Sequence, residues 1–225
     1  MTTETHLHEH PHDHHHHADA DPELRRPVLG AALRLEYFSL AWNFLETFVG
    51  FAAGLASGSV ALMGFALDSV VESSSATALI WRLRREKNGG GGTEEIERRA
   101  VRIVGGAFFA LALYVGGQAV YDLVTRSEPE ASRLGIGLAA VSLVVMPLLA
   151  IRKRRLAHAL GSRSLEADSG QTLLCTYISA VLLVGLGANA AFGWWWADPV
   201  AGLAIAAFAA REGRELWTTQ RFCTC

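Results

Sequence analysis

The chain has 225 residues, 51% of them hydrophobic, with 19% charged residues gathered into a few clusters and a formal net charge of −2. Residues 134–151 and 181–197 carry no charge at all, which excludes an ordinary soluble domain, where charges recur along amphipathic segments. Three cysteines, Cys175, Cys223 and Cys225, give no disulfide framework, and no cleavable signal peptide is expected ahead of the first apolar span.

Residues 1–33 read as a polar cytoplasmic tail carrying eight of the nine histidines, in HLHEHPHDHHHH. Such a segment buries no core and is expected to be disordered without a ligand. The interleaved Glu9, Pro11 and Asp13 favour a native segment over an appended tag, and neutral imidazoles suit Zn, Ni, Co or Cu. Six apolar segments follow, at 37–55, 60–81, 103–123, 134–151, 168–189 and 197–210. Crossing ~30 Å of hydrocarbon takes roughly 20 apolar residues, and backbone groups in lipid must be satisfied within the segment, so each is predicted to be a helix. The expected fold is all-α: a polytopic membrane protein with six transmembrane helices over residues 34–217 and a short tail at 218–225.

Of the 20 Lys and Arg, 18 lie in the N-terminal tail, the second and fourth connections and the C-terminal tail; Arg126 and Arg133 alone fall on the other side. By the positive-inside rule both termini are cytoplasmic, which the even number of spans supports. Trp194, Trp195 and Trp196 then belong to the outer interface and Trp81 to the inner one. NGGGGTEEIERR reads as a flexible linker. Gly50, Gly54 and Gly58 make small-xxx-small steps, which suit close helix packing.

Ionisable groups deep in a bilayer are costly unless paired or hydrated, so they are the first candidates for function. Helix one carries Asn43 and Glu46, helix two Asp68 and Glu72, helix five Asp168, Gln171 and Cys175. The i,i+4 spacing puts Asp68 and Glu72 on one helical face, where two oxygen donors can converge on a cation. Counted from the nearest basic residue, Glu46 lies roughly 18 Å deep, Glu72 roughly 15 Å, Gln171 roughly 12 Å, Cys175 roughly 18 Å and Asp68 roughly 21 Å. Three helices thus bring polar groups to similar depths. Asn43, Gln171 and the serines at 73–75 suit interhelical hydrogen bonding as well as a site. Asp168 suits a helix N-terminus as well as metal contact, and Cys175 a small buried hydrophobe as well as a ligand. His158 reads as an interfacial group. With no HExxH and no Ser/His pair, no enzyme activity is expected.

The helix count, the acidic i,i+4 pair and the AD-containing fifth helix resemble the cation diffusion facilitator (cation efflux) family, best in GSVALMGFALDSVVE and SRSLEADSGQTLLC. WWADPVAG is also similar to the family's Asp-Pro start of helix six. In helix two the family's D-x-x-x-D or H-x-x-x-D falls on Asp68 and Glu72. In helix five its H-x-x-x-D falls on Gln171 and Cys175, which keep neither residue, although Ala167 and Asp168 match the preceding AD. Only about 15 residues follow Ala210, so the family's usual C-terminal cytoplasmic domain is expected to be missing. The resemblance implies a secondary transporter of divalent transition-metal cations in the plasma (inner) membrane, with proton-coupled efflux. Zn, Cd or Co would be substrate, protons the counter-ion and a homodimer the assembly, with no resident cofactor and no nucleic-acid partner. A membrane-bound metal sensor or interaction protein that does not transport is the rival expectation.

Overall fold

The computed structural model describes residues 22–88 and 94–218. The histidine-rich segment, the run of glycines after Asn88 and the two C-terminal cysteines, with the disorder and flexibility expected of the first two, lie outside the described residues. All the regular structure described is helical: α1 (Pro22–Ser57), α2 (Val60–Lys87), α3 (Glu94–Thr125), α4 (Arg133–Leu160), α5 (Arg163–Phe192) and α6 (Ala197–Thr218). The six apolar segments lie within them. The helix ends reach further because polar flanks continue the hydrogen-bonded ladder beyond the apolar stretch. Helix α1 begins at Pro22 rather than beyond residue 33. Leu29, Ala32 and Leu33 in that stretch are buried in a cluster with Leu79, Ile80, Leu83, Leu160 and Leu165.

Serine and glycine mark the helix boundaries. Ser59, Ser132 and Ser162 cap α2, α4 and α5 by accepting from the backbone N–H three residues on, each worth about 1 kcal/mol over alanine. Gly161 and Gly193 end α4 and α5 with φ of 60° and 65°, a conformation that other residues adopt only under strain.

The closest neighbours are α1 with α2, α3 with α6 and α4 with α5, while α2 also touches α3, α5 and α6. Gly50 and Gly54 serve packing, as a Cβ at either would stand 3.0 Å from Ala66 or Met63 of α2. Gly58 forms the turn instead, with φ of 69°. Gly185 does for α5 and α6 what Gly50 does for α1 and α2: a Cβ there would lie 2.7 Å from that of Ala201.

Polarity is inverted relative to a water-soluble protein. Phe48, Leu113, Val124 and Val184 point outward, each more than two-thirds exposed, whereas Glu36, Glu46, Asp68, Glu72, Lys153 and Asp168 are buried. Apolar surface outside and charge inside is the distribution that a hydrocarbon solvent imposes. By length and composition, 26–57, 105–125, 133–160 and 164–192 are able to cross a membrane. Helix α2 falls short of that measure because its composition is diluted by Asp68, Glu72 and serines, most of them turned toward its neighbours.

Candidate metal site and buried charge network

One face of α1 carries Glu36, Ser39, Asn43 and Glu46, at i, i+3, i+7 and i+10, all fully buried. That spacing is a single helical stripe, and it faces the bundle interior. Opposite it, α2 turns Asp68, Ser69, Glu72 and Ser73 inward. Helix α5 completes the interior with Asp168, Thr172, Cys175 and Ser179, another i, i+4, i+7, i+11 stripe.

Glu72 Oε1 accepts a hydrogen bond of 2.7 Å from Thr172 Oγ1 of α5. Glu72 Oε2 is buried with no hydrogen-bond partner among the described residues, as are both amide atoms of Asn43, Ser39 Oγ and Gln171 Oε1. Asn43 lies beside Glu72, and one turn along α2 the Asp68 carboxyl faces the Cys175 thiol. Both Asp68 and Cys175 are buried. Orphaned buried oxygens are costly, about 1–3 kcal/mol each and more for charged groups.

Glu46 is differently placed. Its Oε1 accepts from Trp42 Nε1 at 2.7 Å and from Ser142 Oγ of α4, and its Oε2 from Ser69 Oγ of α2 at 3.1 Å. Three donors on three helices commit this carboxylate to holding α1, α2 and α4 together. Asp168 is committed as well. Lys153 Nζ donates to its Oδ2 at 2.6 Å, and Ser75 Oγ donates to its Oδ1 at 3.3 Å. The same ammonium donates to Thr172 Oγ1 at 3.1 Å and stands 3.3 Å from Glu36 Oε2. A chain of contacts therefore runs from Glu36 through Lys153 and Thr172 to Glu72.

Among the described residues no three His, Cys, Asp or Glu side chains converge closely enough to hold a metal together. The expected residues are instead spread along the α1–α2–α5 interface, with Asp68 and Cys175 at one level and Glu72 and Asn43 at the next. Gln171 is only partly buried, at the edge of the α5 stripe that Thr172 occupies centrally.

Lys153, Glu36 and Thr172 were not among the residues that the sequence singled out. Lys153 sits in RKRR and was counted with the interfacial cations, yet it is fully buried while Arg152, Arg154 and Arg155 are exposed. Helical phase carries the missing signal. Met146, Leu149, Ala150, Lys153, Ala157 and Leu160 share the buried face of α4, so the lysine continues an apolar stripe.

Comparison with known proteins points to one family. The family model for the cation efflux transmembrane domain matches residues 37–219. An uncharacterized transporter of Synechocystis, sll1263, is 28% identical over 154 residues, covering 66% of this chain and 50% of its own length. The cation-efflux pump FieF of Shewanella oneidensis is 31% identical over 114 residues, covering 51% of this chain and 36% of its own. Transmembrane protein 163 of Xenopus laevis is 27% identical over 143 residues, covering 64% and 50%. The matches thus span half or less of each relative's length. With a helical, inside-out bundle and a family match over most of its length, the chain belongs to the cation efflux family.

Proposed function

We propose that this protein carries divalent transition-metal cations, Zn, Cd or Co, across the plasma (inner) membrane in exchange for protons. The observation that carries the reading is the buried Asp68/Glu72 pair on α2, facing Cys175 and Thr172, with Glu72 Oε2 and the Asn43 amide unpartnered. Two like charges a turn apart in low dielectric are unfavourable unless a cation or protons intervene. Metal and protons compete for the same oxygens, which is the basis of exchange. Asp68, Glu72, Cys175 and Asn43 would bind the ion, and small helix movements would gather them around it. Glu46 would anchor the helices on which they sit. Asp168 would act through its ion pair with Lys153, and Gln171 would line the approach. The distribution of basic residues supports cytoplasmic termini, and the histidines at 6–17 would load metal on that side. A homodimer through the membrane helices is the assembly we propose.

A second reading, a metal sensor that binds without transport, draws on Gln171 and Cys175 standing in α5 where the family's H-x-x-x-D falls. Flux of Zn, Cd, Co, Ni, Fe and Mn into proteoliposomes under an imposed pH gradient separates the two. Transport that rises with the gradient and is lost on Asp68→Asn supports the carrier. Metal binding with no flux of any ion, with or without the pH gradient, supports the sensor.

A further inference from the structure

A second feature lies outside the helices' shared interior, on the outer surface between α1 and α4. A groove of about 550 Å³ opens there, lined by Arg34 and Phe38 of α1 and by Leu149, Arg152, Arg155 and Leu156 of α4. Arg34 Nε donates to the Gly30 carbonyl at 3.3 Å. Three arginines thus line one groove, chiefly with their alkyl stems, and no carboxylate of the described residues pairs with their guanidiniums. Arg34 precedes Phe38 by one turn on α1, and on α4 Arg152 and Arg155 follow Leu149. The two helices run in opposite directions, so the charged lining lies toward the basic end of the bundle and the apolar lining about one turn, ~5 Å, deeper.

We propose that this groove binds an anionic phospholipid, its phosphate held by Arg34, Arg152 and Arg155 and an acyl chain lying against Phe38 and Leu149. Charge complementarity selects the occupant. Guanidinium forks pair with phosphate oxygens, and a zwitterionic headgroup would bring its ammonium toward three cations. The same turns carry Glu36 and Lys153 on their inner sides. A lipid bridging α1 and α4 from outside therefore clamps the two helices that the Lys153–Glu36 contact joins from inside.

The test uses the purified full chain in detergent, titrated with phosphatidylglycerol, phosphatidylcholine or glycerol 3-phosphate and followed by native mass spectrometry and thermal unfolding. Phosphatidylglycerol is expected to be retained and to stabilise the protein. At about fivefold for each guanidinium removed, R152Q/R155Q should weaken its binding roughly 25-fold. R154Q/R214Q, with the same loss of charge outside the groove, should leave binding unchanged, and R152K/R155K should restore most of it. Equal stabilisation by phosphatidylcholine would overturn the proposal, as would unchanged phosphatidylglycerol binding in R152Q/R155Q. Equal protection by glycerol 3-phosphate would assign the groove to a free anion. Lipid binding seen only after deletion of residues 1–21 would assign it to the chain's own acidic tail. Efficient disulfide dimerisation of Phe38→Cys that lipid fails to suppress would assign it to a second copy.

Discussion

Lys153→Met removes the cation from a site where it touches Asp168 at 2.6 Å, Thr172 at 3.1 Å and Glu36 at 3.3 Å, with no exposed surface. Methionine nearly matches the alkyl stem, so the change is mainly one of charge. Breaking a buried pair by deleting one partner costs about 3–5 kcal/mol, because the remaining charge is left uncompensated. Here two carboxylates lose their partner, which places the expected loss toward the upper end. At about 2–4 °C per kcal/mol for a chain of this size, thermal unfolding in detergent should fall by roughly 8–20 °C. The diagnostic measurement is a double-mutant cycle. Asp168→Asn in the Lys153→Met background should recover at least half of the loss, since a neutral pair no longer demands compensation. A melting temperature within about 2 °C of the parent for Lys153→Met, or strictly additive effects in the cycle, would refute the reasoning.

Asp68→Asn and Glu72→Gln should each abolish metal flux while leaving expression near the parent level, because amides fit between helices but lack the charge that a desolvated cation needs; wild-type flux in the double variant defeats the assignment. Cys175→Ser should weaken preference for soft ions, measured as the Cd-to-Mn flux ratio, and an unchanged ratio in Cys175→Ala makes the thiol a packing residue. Gly185→Val should destabilise the α5–α6 contact by about 1–3 kcal/mol through overpacking, read by thermal unfolding, whereas Gly187→Val, with open space around it, should do so far less. Deleting residues 1–20 should lower apparent metal affinity but leave flux detectable, and complete loss in a well-expressed variant would make the tail part of the transport core.

The helices were legible because long uncharged runs have one solution in hydrocarbon, and the inward pair Asp68/Glu72 was legible because i,i+4 spacing fixes a common face. Lys153 was not. Its neighbours Arg152, Arg154 and Arg155 make RKRR look uniformly interfacial, and only the phase set by Met146, Leu149 and Ala150 separates the one residue that turns inward. Glu36 was missed for a related reason. It lies just outside the apolar run that begins at Tyr37, yet α1 extends back to Pro22 and carries the inward stripe with it. Thr172 is the direct partner of Glu72, but a threonine in an apolar helix resembles a packing residue until its partner across the interface is known. Tertiary pairing of this kind has no local signature; Gln171, beside Thr172 in sequence, is half-buried with its Oε1 unpartnered among the described residues.

The start of α2 has a consequence for how such a bundle can move. Asp198, in the first turn of α6, accepts the backbone N–H groups of Val60 at 3.0 Å and Ala61 at 3.4 Å, and the Ser59 hydroxyl as well. Those amides belong to the first turn of α2, where no intrahelical acceptor is available to them. Sliding α2 along α6 would strand two buried donors and a carboxylate at once, whereas tilting about this point keeps all three bonds. The two helices are therefore pinned like the legs of a compass, so that any tilt between them about this point would open at the end that carries the basic residues.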